Sequence, residues 1–260
     1  KPLTFRKILD RTLLNLNKNK MECSVGVCVV VHNSYFETRY CIENLIAKTK
    51  VKFRWYIVNN GSTDSRIIDY CRKLCADSGG YFKSIEQSPV SVAYNHVVRI
   101  VGEEFMVIFP TNYLVNKNWL EDLIHFYKNI DNTGAVSIRT GFEKLSFVPL
   151  LHKSETEPED KLLNVHLNDN NIVDGIMFLK PEILLQTGHL DEHIKNSGYE
   201  LIELCFRISA HGFHNFYIRN QNVIKLLLSN EVLFPVRSKD GMHELKVHIE
   251  AMYKKKMFKK

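Results

Sequence analysis

Hydrophobic and polar positions change period several times along the chain, and the changes divide it into alternating elements. From Ser24 the run VGVCVVV is continuously apolar and β-branched, as expected of a strand buried on both faces of a parallel sheet. An HNS turn follows, and 36–48 carries a helical stripe through Tyr40, Cys41, Leu45 and Ile46. WYIV at 55–58 predicts a second strand and NNGSTD a loop. Residues 65–76 predict a second helix with Ile67, Ile68, Cys71, Leu74 and Cys75 inward. YFKSIE predicts a short third strand, 89–100 a helix after its first turn, and FMVIF a fourth strand.

The second half is more mixed. AVSIR (135–139) and LSFVPLL (145–151) have strand patterns, separated from the next element by the charged loop KSETEPEDK. IVDGIMFLKPEIL predicts a strand running into a helix opened by Pro181, a position where the missing N–H costs nothing. Residues 199–210 place Leu201, Leu204, Cys205 and Ile208 on one helical face, and Gly212 is the expected stop. Amphipathic helices are expected at both ends, over 3–16 and 244–257. No repeat or clean linker interrupts the chain. The expected organisation is an N-terminal helix (1–21), one main domain (22–225) and an extension with a basic amphipathic helix (226–260).

Strand, loop and helix alternate to about residue 130, which predicts an α/β fold: a mostly parallel central sheet with helices on both faces. Ligands of such sheets bind beyond the carboxyl ends of the strands. That rule selects the loops 32–34, 59–64 and 110–113.

Composition narrows the picture without changing it. With 260 residues, 45% hydrophobic and 25% charged, the chain suits a globular protein with a sizeable core. Its apolar runs fall far short of the ~20 residues that cross a bilayer. The chain starts at Lys1 with no apolar signal stretch and no initiator methionine, as expected of a piece of a longer protein. The six cysteines lie mostly in apolar segments without zinc-like spacing, and are expected to be reduced core or helix-face residues of a cytoplasmic protein. Of the net charge of +6, five charges come from Lys254, Lys255, Lys256, Lys259 and Lys260, leaving +1 for the rest. A basic tail of this kind argues against an extended nucleic-acid surface. It fits peripheral contact with the inner face of a membrane, or with a partner protein.

VNNGSTD is the most informative loop. Gly61 permits a positive φ, Asp64 or Thr63 can cap the next helix, and the remaining polar groups form either a capped turn or a cradle for a base or ribose. No G-x-G-x-x-G follows the early strands, so a dinucleotide fingerprint is missing. The histidines have no metal-ligand spacing. His189 and His193 bracket Asp191 and Glu192 in an expected exposed turn, Trp55 and Trp119 are expected in packing, and Tyr113 and Tyr199 are candidates for sugar stacking.

The order of motifs resembles the inverting family 2 nucleotide-sugar glycosyltransferases, which have a GT-A fold. VVHNS, VNNGSTD, the Ala93-Tyr94-Asn95 block followed by Gly102-Glu103, WLEDLI, DGIMFLKPEILLQTGHLDEHI and GYELIELCFRISAHGF follow the family's order over about 22–225. The resemblance implies a nucleotide-sugar donor held by residues near Val31, Asn33, Asn59, Asn60 and Asn95. Asn59 stands where many relatives have an aspartate for the base or ribose. It also implies a glycan or lipid-linked acceptor.

The departures from the family pattern carry their own implications. The metal-binding D-x-D falls on Pro110, Thr111 and Asn112, and a histidine that often completes that site falls on Lys225. Proline has no ligating side chain and asparagine is a neutral donor, so no tightly held divalent ion is expected, and no other cofactor. Thr111, Asn112 and Lys225 remain candidates for donor binding. The expected catalytic aspartate is Leu201, between Glu200 and Ile202, so a base has to come from Glu200, Asp191 or Asp174. Two expectations stay open: a metal-independent transferase, with lysine charge in place of the metal, and an inactive GT-A-fold scaffold or nucleotide-binding partner.

Overall fold

The structure is a computed structural model that describes residues 24–138, 165–166, 175–194, 199–218 and 223–225. Strand β1 (Val25–Val31) leads to helix α1 (Tyr35–Lys48), β2 (Phe53–Asn60) to α2 (Ser65–Ser78), and β3 (Tyr81–Ile85) to α3 (Val90–Val98). There follow β4 (Phe105–Ile108), β5 (Tyr113–Val115), α4 (Trp119–Asn129) and β6 (Thr133–Ile138). The remaining elements are β7 (Val165–His166), β8 (Met177–Leu179), α5 (Pro181–Thr187), α6 (Tyr199–Ala210), β9 (His214–Ile218) and β10 (Val223–Lys225). The other predicted elements, 3–16, 145–151, 153–161 and 244–257, lie outside the described residues.

One sheet runs in the order β3-β2-β1-β4-β8-β6-β9-β7, and β5 pairs separately with β10. From β3 to β4 the pairs are parallel. Strand β8 then enters antiparallel between β4 and β6, while β6 and β9 pair in parallel. The chain steps outward from β1 through β2 to β3 and returns to the other side of β1 as β4. That reversal makes the carboxyl ends of β1 and β4 the topological switch point, the place where open α/β sheets bind ligands.

The alternation of side chains in β1 explains why its sequence is apolar throughout. Val25, Val27, Val29 and Val31 face α1, α2 and α4, packing with Ile42, Leu45, Ile67, Leu74, Trp119 and Leu123. Cys28 faces the opposite layer, formed by α3, α5 and α6. Each fully buried valine contributes roughly 1.5–3 kcal/mol by leaving water. The expected stripe of α1 needs one correction. Tyr40 is 58% exposed, and Thr38, Cys41, Ile42 and Leu45 are the buried positions. At 100° per residue an inward 38–41/42–45 ridge turns residue 40 to solvent.

Candidate functional site

The strand ends selected by the sequence lie side by side. Val31 is in register with Asn59, and Cys28 with Ile108. The Phe109 N–H donates to the Cys28 carbonyl at 2.9 Å, which carries β4 on toward the 110–113 loop.

The turn after β1 is built on two left-handed residues, Asn33 (φ 49) and Ser34 (φ 50). Asparagine tolerates that region, and its side chain here repays the conformation. Asn33 Oδ1 accepts from the Thr63 N–H at 2.9 Å, and the Asn33 N–H donates to Ser62 Oγ at 2.8 Å. His32 Nδ1 stands 2.7 Å from the Asn60 carbonyl, which can only accept, so that nitrogen carries the proton. Its Nε2 then accepts from Asn33 Nδ2 at 3.3 Å. The β1–α1 and β2–α2 loops are therefore one hydrogen-bonded unit.

Gly61, at φ 71, makes the second loop possible, because a Cβ there would stand 2.6 Å from the backbone nitrogen of Gln87. Asn59 Oδ1 accepts from the Ser62 N–H at 3.2 Å. Asn60 turns to the other face, where Oδ1 accepts from the Ser88 N–H at 2.9 Å and Nδ2 donates to the Ser88 carbonyl at 2.9 Å. Asp64 caps α2 by accepting from the Arg66 N–H at 3.0 Å. The hydrogen-bonded Arg66 guanidinium holds the Asp64 carboxyl below its usual range.

In the third loop Pro110 and Thr111 are buried, and the Asn112 Oδ1 is buried with no hydrogen-bond partner. Beyond it, β5 pairs antiparallel with β10 so that Lys225 is opposite Tyr113. Two residues 112 positions apart thereby meet next to Asn112. Gly175 closes the same corner: at φ 83, its added Cβ would press against the Tyr113 hydroxyl. Asp174 itself lies outside the described residues.

The residues of this loop do not fit a divalent ion. Proline offers no ligand atom, and the orphaned Asn112 oxygen is neutral, where a hard dication calls for carboxylates. Among the described residues no group of three or more His, Cys, Asp or Glu could hold a metal ion.

On α3, Asn95 is fully buried. Its Nδ2 donates to the Leu190 carbonyl at 2.9 Å and to Glu192 Oε1 at 2.8 Å, while its Oδ1 accepts from the Leu190 N–H at 3.2 Å. The amide thus holds a loop. Arg207 holds the other end of that loop by donating to the Thr187 and His189 carbonyls at 2.8 and 2.7 Å. Between these clamps Asp191 accepts from the His193 N–H at 2.8 Å and lies 3.0 Å from His193 Nδ1. The Asn95 hydrogen bond and the Arg99 guanidinium hold the Glu192 carboxyl below its usual range.

At the start of α6, Glu200 is only 2% exposed. It neighbours Tyr94, whose phenol is pushed up by burial and further by the Glu200 charge. Leu201 belongs to the buried cluster that also contains Ala93, Tyr94 and Val97, and Glu203 is ion-paired with Arg207. The structure thus brings Val31, Asn33, Asn59 and Asn60 together at the neighbouring ends of β1 and β2, with Thr111 and Asn112 in the loop that follows β4 and the Lys225 backbone in the separate β5–β10 pair, whereas Asn95 on α3 holds the loop that contains Asp191. Sequence reasoning missed Arg207. Its only local signal is the four-residue spacing from Glu203.

The family model described as glycosyl transferase family 2 matches residues 26–183. Among solved structures, the chain is similar to S. aureus TarS 1-349 in complex with UDP-GlcNAc, at a TM-score of 0.65 and 16% identity over 86% of this chain and 66% of that one. It is similar to the mannosyltransferase PcManGT from Pyrobaculum calidifontis in complex with GDP-Man and Mn2+, with a TM-score of 0.60 and 15% identity over 85% and 64%. GalNAc-T7 with UDP, GalNAc and Mn2+ gives a TM-score of 0.57 and 12% identity over 80% and 45%. At these identities the likeness is one of fold, and the chain spans about two thirds or less of the length of these structures. Comparison with curated proteins finds no match. With the family model covering more than half of its length and the motifs folded as above, the chain belongs to glycosyl transferase family 2.

Proposed function

We propose that the protein transfers a sugar from a nucleotide-sugar donor to a hydroxyl of a glycan or lipid-linked acceptor, with inversion and without a metal ion. The observation that carries this reading is the pairing of Lys225 with Tyr113, which brings a cationic residue to the loop where the family's acids are replaced. The acceptor oxygen bonds to the anomeric carbon as the bond from that carbon to the diphosphate oxygen breaks. The electron pair leaves with the diphosphate, and Lys225 offsets its charge.

A carboxylate takes the acceptor proton, with Glu200, Asp191 and Asp174 as candidates. Val31, Asn33, Asn59, Asn60, Thr111 and Asn112 form the donor side, and Asn95 acts as a positioning residue through the 187–192 loop. The basic tail supports peripheral membrane contact at the cytoplasmic face. Liposome binding that is salt-sensitive and lost on deletion of 250–260 is the expected result.

Calorimetry in the presence of EDTA tests the donor side. UDP, GDP, CDP and dTDP are titrated into the folded protein, and at least one is expected to bind, with Lys225→Ala weakening it. A folded protein that binds none of them overturns the reading.

A second reading, a nucleotide-binding protein without transfer, is favoured by Leu201 in the core and Glu203 in an ion pair, which leave the usual base position unable to take a proton. Slow donor hydrolysis or transfer, abolished by replacing one candidate carboxylate, decides against it. Binding without any turnover decides for it.

A further inference from the structure

We infer that Lys83, His96, Arg99 and His189 form a binding site for a phosphate monoester between β3, α3 and the loop that follows α5. Tyr81 and Ile85 of β3 pack toward the α3 layer, and strand alternation puts Lys83, between them, on the same face. Its Nζ stands 3.1 Å from His96 Nδ1. An ammonium can only donate, so Nδ1 accepts and the neutral imidazole carries its proton on Nε2. Among the described residues Lys83 has no carboxylate partner.

Arg99, three residues beyond His96, falls on the same side of α3. Its Nη2 donates to Glu192 Oε1 at 2.8 Å, and Asn95 donates to the same oxygen at 2.8 Å. His189 is held here through its backbone, because Asn95 bonds both main-chain groups of Leu190 and Arg207 donates to the His189 carbonyl at 2.7 Å. Its imidazole makes no hydrogen bond among the described residues.

The charges in this cluster do not balance. Arg207 is paired with Glu203, which leaves Lys83, Arg99 and two imidazoles against the single carboxylate of Glu192. Burial first, and then Lys83 and Arg99, hold the His96 imidazole below its usual range; burial, Arg99 and Arg207 do the same for His189, and Glu192 opposes the cations at both. Lys83 and Arg99 also retain N–H groups beyond those already bonded. Such a surplus of charged donors suits an oxyanion, and a phosphate monoester brings three acceptor oxygens with nearly two charges. Its negative charge favours the imidazolium forms, so the ligand and protons are taken up together. Free phosphate and a sugar phosphate present the same group.

NMR of the histidine C2–H resonances in the full chain tests the site locally. Inorganic phosphate is expected to move the His96 and His189 signals with a Kd of about 1 mM or tighter, while those of exposed His125 and His211 stay in place. Tighter binding of glucose 1-phosphate supports a sugar phosphate as the source, and equal binding supports the free ion. Sulfate, whose charge is constant over the range, is expected to bind about tenfold tighter at pH 6 than at pH 8. Lys83→Gln and Arg99→Gln should each weaken phosphate binding about tenfold. Glu192→Gln should strengthen it, a gain that misfolding cannot produce. Lys225→Ala, which alters the proposed donor loop, should leave it unchanged, so failure of the donor reading does not touch this one. Signals that stay fixed, or that move equally in all four histidines, overturn the site. So does phosphate binding that is lost in Lys225→Ala, or that is unaltered in Lys83→Gln, Arg99→Gln and Glu192→Gln.

Discussion

Arg207 reaches back one helical turn to Glu203 and donates from Nη2 to Oε2 at 2.7 Å, with the carboxylate fully withdrawn from solvent. The same guanidinium donates to the carbonyls of Thr187 and His189. One side chain therefore pairs with a buried acid and anchors the 187–189 backbone, which makes Glu203 a structural group.

Arg207→Met is expected to leave the Glu203 carboxylate buried without its partner, a loss of about 3–5 kcal/mol. Replacing both members, Glu203→Met with Arg207→Leu, should recover part of it, because no charge is then left in the core. Urea denaturation of the three proteins measures this. A single-variant loss below about 1 kcal/mol would mean that the pair is hydrated.

Gly61 and Gly79 have nearly the same φ, 71 and 69, but different surroundings. A Cβ at Gly79 meets nothing within 4 Å, whereas one at Gly61 runs into the Gln87 backbone. Gly79→Ala should cost about 1–2 kcal/mol from the left-handed backbone alone. Gly61→Ala should cost more, since it displaces the segment that holds Asn60 through Ser88. Thermal unfolding of the two variants compares them directly, and equal losses would show that this segment yields freely.

His96 and His189 both have lowered pKa values, from burial first and then from neighbouring cations. The cations are Lys83 and Arg99 for His96, and Arg99 and Arg207 for His189. The unfolded chain then binds more protons between the folded values and about 6.5, so stability rises with pH across that window. The denaturation midpoint is expected to fall as pH is lowered from 7.5 to 5.5, and His96→Gln with His189→Gln should flatten the slope. Glu192, held down by Asn95 and Arg99, acts in a separate window. Its contribution is present above its unfolded value of about 4.3 and is lost as pH falls through the folded one.

Asn33→Ala removes the acceptor for the Thr63 N–H and places alanine in a left-handed turn. Nucleotide binding should weaken about tenfold as the two loops separate. Asn118→Gly, at another left-handed position at the start of α4, should leave binding unchanged. Calorimetry of both variants reads the difference, and equal effects would point to general destabilisation in place of a loop-specific one.

The alternating elements were legible because each carried its own period. VGVCVVV could only satisfy its apolar residues between two layers, and the NNGSTD loop announced a turn through Gly61. The rotation of α1 was less legible, since Tyr40 and Ile42 are both apolar and only packing against β1 chose between them. In the candidate site the residue types were visible, but the roles were not. Asn95 had the chemistry of a ligand contact and instead holds the Leu190 backbone across 95 residues of sequence.

By itself the sequence determined the strand–helix order and the polar character of three strand-end loops. These follow from residue type and from periods of two and 3.6, which act locally. Only the tertiary structure decided that Lys225 stands opposite Tyr113, that Arg207 consumes Glu203 and holds the loop before it, and which way the Asn59 amide points. Those outcomes depend on strand register, helix rotation and competition among buried donors and acceptors, and such terms appear only when segments distant in the chain share one desolvated space.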